Sequence, residues 1–453
     1  MTDIGEGNSS SKPSATEEEK PEEEEITRLK IRFCVFFDGT GNNLVNIEER
    51  EKNTIHYQDH KPKPGKDANS YEGDKTNVAK MEGYINKKEP GEYDYLLSTY
   101  IEGPGTVNMG EDNWYGAGFG MGDTGVKDKV EKGVDDVVSI VKGKLDKNEV
   151  VEELVLDVFG FSRGAAGARY FIYRALRDNA LADVFEEGKE NVRVEFVGLY
   201  DTVSSEGTDH NDVDSLKLKS VGRSKVKGVL HLVAADEHRG YFACTNINSA
   251  GKKGTQICLP GAHSDIGGGY RADINGQPID EELILDESGD LKRLKKDRAK
   301  LVDQGWFNED QIVIEDPSFL NRGSAPLYKL KSSRTGIDNG YAKIPLNIMA
   351  KFFCETGVEL RLEFDTNEEI PEHLSEAYDA LGKYVEDKGS EGSKIEDWKD
   401  KVEDENKDWL KKIRNKHLHF SAHYNTSSIP LLKLTPHFPN GELGPRKRRI
   451  IDG

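Results

Sequence analysis

The hydrophobic positions of the chain follow two repeating patterns. Short apolar runs rich in Val, Ile and Phe are typical of buried strands, and they predict strands at 30–37, 154–159, 192–200 and 229–235, with a shorter one at 256–259. Between these runs, valines recur every three or four residues over 126–141, and small residues follow Gly164, which predicts two helices. Alternating strands and helices indicate an α/β fold with a mostly parallel sheet and helices on both faces.

The same patterns divide the chain into three regions. Residues 1–27 are mostly acidic or small and polar, so we expect a disordered acidic tail. Residues 28–270 contain the alternating strands and helices and are predicted to form the α/β core. After residue 270, the segments 281–303 and 372–412 are charged and helix-prone. We therefore interpret 271–453 as helical additions packed on the core.

Composition narrows the possible functions. The 453 residues carry a formal net charge of −20, the wrong sign for neutralising nucleic-acid phosphates. No apolar run reaches the roughly 18 residues of a spanning helix, and the first residues lack the basic and apolar segments of a Sec-type signal. The four cysteines are scattered, which predicts neither a disulfide scaffold nor a zinc site. Neither nucleic-acid binding nor a transmembrane segment is expected.

A glycine-rich pattern supplies a candidate nucleophile. Gly160 to Gly164 reads GFSRG and matches GxSxG, the nucleophile elbow in which serine occupies a strained turn from strand to helix. The match lies where a predicted apolar strand meets a predicted helix of small residues, which is the context that an elbow requires. Ser162 is therefore our candidate nucleophile, and the backbone N–H of Arg163 is a candidate oxyanion donor.

A serine nucleophile needs a histidine base and an acidic residue that orients it, in the order Ser, Asp or Glu, His for this arrangement. His263 follows a short strand within a glycine-rich loop and is the best candidate base. Asp201 lies at the carboxyl end of an apolar strand, where active-site loops of parallel sheets occur. Asp236 has a similar setting and remains the alternative. Asp265 is too close to His263 in sequence and is expected to shape the loop.

Other polar groups have weaker support. The segment Asp38-Gly39-Thr40 follows the first strand, where the Gly39 N–H is a candidate second oxyanion donor with Asp38 in support, or forms a local turn. Gly120 to Gly125 satisfies GxGxxG but follows no apolar strand, so we expect no nucleotide cofactor. His417, His419 and His423 share no single helix or strand face, so we expect no metal. The basic run 446–449 is either a surface contact patch or a solvated or docked tail.

Six segments, taken in order, resemble one protein family. The chain is similar to the catalytic domain of the first class of type VI secretion phospholipase effectors at FFDGTGN (36–42), GPGT (103–106), GFSRGA (160–165), GLYDTV (198–203), ADEHR (235–239) and GAHSDIGGGY (261–270). A later segment, IPLNIM (344–349), also resembles that family.

The resemblance implies an α/β-hydrolase that cleaves acyl esters of glycerophospholipids with a Ser162, Asp201, His263 triad. It also implies synthesis in the bacterial cytoplasm, delivery by a spike or tube component to the periplasm or membrane of a rival cell, and a cognate immunity protein. It reaches neither the acidic tail nor the segment 372–412, and a membrane-binding module is not evident.

Two other functions are compatible with the same residues. A catalytic triad specifies acyl transfer but not the acyl group, so a soluble carboxylesterase or thioesterase remains an alternative. A chain that keeps the hydrolase fold as a non-catalytic binding component of secretion machinery is a second alternative. An activated serine distinguishes the enzymes from the binding component.

Overall fold

A computed structural model describes most of the chain. The described residues are 26–63, 69–113, 122–205, 212–237, 239, 242–271, 279–318, 327–388, 408–421, 448 and 450–453. The predicted acidic tail therefore lies almost entirely outside them, as do residues 120 and 121 of the GxGxxG match. Within these ranges no helix combines the length and the apolar character needed to cross a membrane.

The described residues contain eleven strands. In chain order they are β1 (Thr27–Phe37), β2 (Tyr95–Ile101), β3 (Glu149–Phe161), β4 (Val192–Tyr200), β5 (Val226–Ala234), β6 (Cys244–Thr245), β7 (Gly254–Leu259), β8 (Ile279–Ser288), β9 (Ile312–Ser318), β10 (Leu327–Ile337) and β11 (Ile450–Ile451). Six of them form one parallel sheet in the order β2-β1-β3-β4-β5-β7. The predicted mostly parallel sheet is confirmed.

Helices cover this sheet on both faces. The helices of the described residues are α1 (Leu44–Glu51), α2 (Ile55–His60), α3 (Asn77–Gly83), α4 (Val126–Lys142), α5 (Arg163–Arg177), α6 (His263–Gly267), α7 (Leu291–Asp303), α8 (Lys343–Cys354), α9 (Glu363–Asn367), α10 (Ser375–Lys388) and α11 (Asp408–Lys416). The alternation of side chains along β1 assigns the faces. Phe33, Val35 and Phe37 pack with α4 and α5, whereas Cys34 and Phe36 pack with α3 and α8.

Two elements differ from the sequence prediction. Residues 281–303 were predicted to be helical, but their first part belongs to β8, which pairs with β10 in a three-stranded antiparallel sheet of order β8-β10-β9. The prediction was wrong there because cross-strand pairing with residues 327–337, far away in sequence, outweighs local helix propensity. Strand β2 was also missed, and it pairs with β1 at the edge of the parallel sheet.

The strand order creates a crevice at one end of the sheet. From β1 the chain passes first to β2 on one side and then to β3 on the other, so the connections after these strands diverge. Ligands of open α/β sheets bind at such a point, outside the carboxyl ends of the strands. Asp38, Ser162 and Asp201 directly follow β1, β3 and β4, three neighbouring strands of this sheet.

Candidate active site

Ser162 occupies a strained turn between β3 and α5. Its backbone has φ 58° and ψ −126°, a left-handed conformation that costs energy for a residue with a side chain and is typical of functional sites. Flanking glycines let neighbouring segments approach. A Cβ on Gly160 would stand 2.5 Å from Ala165 Cα, and one on Gly164 would stand 2.2 Å from the Asp38 carbonyl oxygen. The turn therefore has the backbone geometry of a nucleophile elbow.

Asp201 lies beside Ser162 because the two strands are in register. Phe161 at the end of β3 is paired with Tyr200 at the end of β4, and the Ser162 N–H donates to the Tyr200 carbonyl at 3.0 Å. Asp201 is fully buried and also has a positive φ, 44°. Its carboxylate oxygen Oδ1 accepts the Ala234 N–H at 3.0 Å, which ties it to the end of β5.

His263 faces this carboxylate. Its Nδ1 lies 2.6 Å from Asp201 Oδ2, and since an ionised carboxylate only accepts, Nδ1 carries the proton. The residue begins α6, and its backbone N–H donates to Glu237 Oε2 at 3.2 Å. The opposite ring nitrogen, Nε2, is buried and has no hydrogen-bond partner among the described residues. That nitrogen is thus left as a free acceptor, the state required of a general base.

Aromatic rings enclose the imidazole. The ring centroids of Phe161 and Phe242 lie 4.6 Å and 4.9 Å from that of His263. Burial lowers the pKa of His263, even though the hydrogen bond and charge of Asp201 act in the opposite direction. The neutral imidazole is therefore favoured near neutral pH.

The alternative carboxylate, Asp236, is directed elsewhere. Its Oδ2 accepts the Gly261 N–H at 2.9 Å, and its Oδ1 lies 3.4 Å from Arg414 Nη2. Asp265 accepts the Ala262 N–H at 2.8 Å and holds His419 Nδ1, also at 2.8 Å. Both carboxylates thus bind the backbone that precedes His263, which is the loop-shaping arrangement expected for Asp265.

The loop after β1 packs on the elbow and offers several polar groups. The Gly39 N–H donates to Asp38 Oδ1 at 2.7 Å, a local bond that competes with its expected role as an oxyanion donor. The other Asp38 oxygen accepts hydroxyl protons from Thr76 and Tyr100, and burial raises the pKa of Asp38 to about 6. Thr40 Oγ1 is buried without a partner in the described part of the chain.

Arg163 is the first residue of α5. The backbone N–H of a residue in the first turn has no carbonyl acceptor within its own helix. It lies at the positive end of the helix dipole, which favours a bound negative charge. That group lies directly after Ser162, as an elbow requires.

His417 and His419 bind different carboxylates. His419 binds Asp265 and stacks on Tyr270, with ring centroids 3.7 Å apart. His417 Nδ1 instead lies 2.7 Å from Asp338 Oδ2, next to His373. His423 lies outside the described residues.

Sequence reasoning missed Arg448. Its guanidinium binds both oxygens of the Asp201 carboxylate: Nη2 lies 2.8 Å from Oδ2, and Nη1 binds Oδ1, the oxygen that also accepts the Ala234 N–H. Burial alone would raise the pKa of Asp201, but the charge of Arg448 and the hydrogen bond from His263 together lower it well below its ordinary value. The basic run 446–449 was the available signal. Its docked-tail interpretation holds at Arg448, and its other three residues lie outside the described part.

Part of the chain matches a known protein family. Residues 174–284 match the family model described as "T6SS, Phospholipase effector Tle1-like, catalytic domain", a segment that contains Asp201, Asp236 and His263 but neither Ser162 nor Arg448. No curated protein matches the chain.

Two solved structures match this chain, the first of them with a similar fold. "Structure of the Tle1 effector bound to the VgrG spike from the Type 6 secretion system" shares 21% identity and a TM-score of 0.62 over 92% of this chain and 90% of that one. "Crystal structure of an uncharacterized protein from Pseudomonas aeruginosa" has 17% identity and a TM-score of 0.41 over 82% and 52%. The family match over residues 174–284 and the fold shared with the Tle1 effector confirm the predicted resemblance to the phospholipase effectors of type VI secretion systems.

Proposed function

We propose that this chain is a serine hydrolase of the phospholipase A type, which cleaves acyl ester bonds of glycerophospholipids. One observation carries the proposal: the 2.6 Å contact between Asp201 and His263 lies beside a serine with elbow geometry. The match to a phospholipase effector family supports the lipid substrate. An acyl ester is the substrate class on which a serine, a neutral histidine and a buried carboxylate act.

The reaction proceeds in two displacements. Ser162 Oγ attacks the acyl carbonyl carbon while His263 Nε2 takes the hydroxyl proton, and the tetrahedral intermediate collapses when the same proton passes to the departing lysophospholipid oxygen. Water then attacks the acyl-serine, again losing its proton to His263, which returns that proton to Ser162. Fatty acid is released and the enzyme is regenerated. Asp201 holds the imidazole in the Nδ1–H tautomer and stabilises its charged form.

The developing oxyanion needs donors on the elbow side. The Arg163 N–H is our first donor, because it follows the nucleophile at a helix start. The second donor comes from residues 38–40. There the Gly39 N–H would give up its hydrogen bond to the Asp38 carboxylate and donate to the oxyanion instead.

We propose delivery by a type VI secretion system. A solved relative in fold is described as an effector bound to the VgrG spike, and a spike component is the corresponding partner for this chain. The proposed site of action is the periplasm or membrane of a target bacterium, with a cognate immunity protein protecting the producer.

The test is release of free fatty acid from mixed phospholipid vesicles by the wild type and Ser162→Ala, with a short-chain ester assayed in parallel. Ser139→Ala, at an exposed position of α4, is the matched control. We expect the wild type and the control to release fatty acid and Ser162→Ala to release none while keeping its melting temperature. Turnover of the short ester alone would favour a soluble esterase, and activity of Ser162→Ala on either substrate would refute the nucleophile.

A further inference from the structure

The guanidinium of Arg448 is buried and fully engaged. The side chain is 1% exposed and forms an ion pair with the fully buried carboxylate of Asp201. Nη1 binds Oδ1 and Nη2 binds Oδ2, a two-pronged arrangement that fixes the carboxylate plane. The remaining donors also have acceptors: Nη1 donates to the Ala234 carbonyl at 2.9 Å, and Nη2 and Nε donate to the Phe242 carbonyl at 2.8 and 3.2 Å.

A C-terminal segment of the chain holds Arg448 in this place. Strand β11 pairs in parallel with β6, and the Asn246 N–H donates to the Ile451 carbonyl at 3.0 Å. Gly453 is bound at both ends, since its N–H donates to Asn246 Oδ1 at 3.0 Å and its carbonyl accepts the Ser249 N–H at 3.1 Å. The Thr245 N–H in turn donates to the Thr202 carbonyl at 2.9 Å, one residue after Asp201.

The charges explain why such an anchor is needed. A carboxylate buried among β4, β5 and the histidine loop would tend to take up a proton, because burial disfavours its ionised form. A protonated Asp201 would no longer hold the Nδ1–H tautomer of His263. The Arg448 charge offsets that desolvation. Its contribution is to the ionised state and the orientation of Asp201.

We propose that Arg448 is a positioning residue for the hydrolysis proposed above, and that the C-terminal segment 448–453 completes the active site by keeping Asp201 ionised and aimed at His263 Nδ1. Arg448 touches no reacting atom in this scheme, and its effect passes through Asp201. The proposal rests on the proposed function, since it assigns a role within the same site. Residue 448 lies outside the segment matched by the family model.

The test compares Arg448→Met, Arg448→Lys and Arg177→Met in short-ester hydrolysis, which needs no lipid surface. Arg177, exposed at the end of α5, is the matched control. We expect Arg448→Met to lower kcat at least about tenfold and at most by the roughly 10⁴-fold that an orienting carboxylate contributes, with a smaller effect on KM. Lysine keeps the charge but not the two-pronged geometry, and should recover part of the loss.

A purely structural role would not reproduce three further results. In the Asp201→Asn background, Arg448→Met should lower kcat little further, because residues that act as one unit are not additive. Added guanidinium, but not the same concentration of sodium chloride, should raise the activity of Arg448→Ala. The acid limb of kcat/KM should move to higher pH in Arg448→Met, because the hydrogen-bonded Asp201–His263 pair titrates as a unit and loss of the Arg448 charge favours its protonation. Within the described part of the chain, the other titratable or charged groups that face Asp201 and Arg448 are His231, Cys244, Glu237 and Arg239.

The outcomes separate the two proposals. Wild-type kcat and an unshifted pH profile in a folded Arg448→Met protein would overturn the role of Arg448, as would an equal loss of kcat in the Asp201→Asn background. If Arg448→Met does not fold, Arg448→Lys and the guanidinium rescue of Arg448→Ala test the proposal instead. If lysine recovers no activity and guanidinium does not rescue Arg448→Ala, the role of Arg448 is also overturned. Absence of Ser162-dependent turnover in the wild type would refute the proposed function instead.

Discussion

Gly267 lies directly against the ring of Phe161. A Cβ on Gly267 would stand 2.1 Å from the Phe161 Cε2 atom, closer than any real contact. Phe161 immediately precedes Ser162, and its ring also packs on His263. The absence of a side chain at Gly267 therefore lets the helix that carries His263 approach the elbow that carries Ser162.

Gly267→Ala should misplace these two groups. The added methyl overpacks a buried site, which typically costs about 1–3 kcal/mol in the free energy of unfolding, and kcat should fall with it. Urea denaturation and ester hydrolysis measure the two effects. Gly382→Ala is the control, because a Cβ there, within α10, meets nothing within 4 Å and alanine is the better helix former. Equal stability and activity of the two variants would contradict the packing argument.

Asp201→Asn and Asp236→Asn should differ strongly. Asparagine at 201 can no longer serve as the ionised acceptor for His263 Nδ1, so we expect kcat to fall roughly 10⁴-fold, as in serine proteases with that change. Asp236 binds the Gly261 N–H and Arg414 rather than the imidazole, and its substitution should act mainly on stability. Parallel measurement of kcat and melting temperature decides. A larger loss of kcat for Asp236→Asn would reverse the assignment.

The pH dependence of activity should reflect the environment of His263. Its neutral form accepts the Ser162 proton, so kcat/KM should fall as pH drops through its pKa. Burial between Phe161 and Phe242 lowers that pKa, which puts the midpoint of the acid limb below 6.5, the ordinary value for histidine. Phe242→Ala should admit water and move the midpoint upward. A wild-type midpoint above 6.5, or no upward movement in Phe242→Ala, would be inconsistent with control by burial.

Local patterns in the sequence predicted much of the fold and part of the candidate site. Apolar runs placed β1, β4 and β5 within a few residues of their observed bounds, because a strand buried on both faces must be apolar along its whole length. The elbow was recognisable because its glycines and serine are adjacent in the chain. Asp201 and His263 were found from their positions after strands, since parallel strands bring their carboxyl ends to one edge.

Contacts between distant segments were beyond such patterns. Strand β8 carries helix-prone residues and becomes a strand only by pairing with β10. The choice between Asp201 and Asp236 depended on the direction of side chains on loops after β4 and β5, which spacing does not determine.

Arg448 shows most clearly the difference between what local sequence patterns predict and what contacts between distant segments decide. The sequence by itself determined a parallel α/β core, a serine at a strand-to-helix turn, and polar residues after neighbouring strands, because periodicity and turn chemistry act over a few residues. Only the tertiary structure decided that an arginine 247 residues after Asp201 binds its carboxylate. The physical reason is that a buried charge needs an oppositely charged partner, and the tertiary fold decides which residue lies close enough to be that partner. The sequence around an arginine does not indicate whether it will be buried against a distant carboxylate.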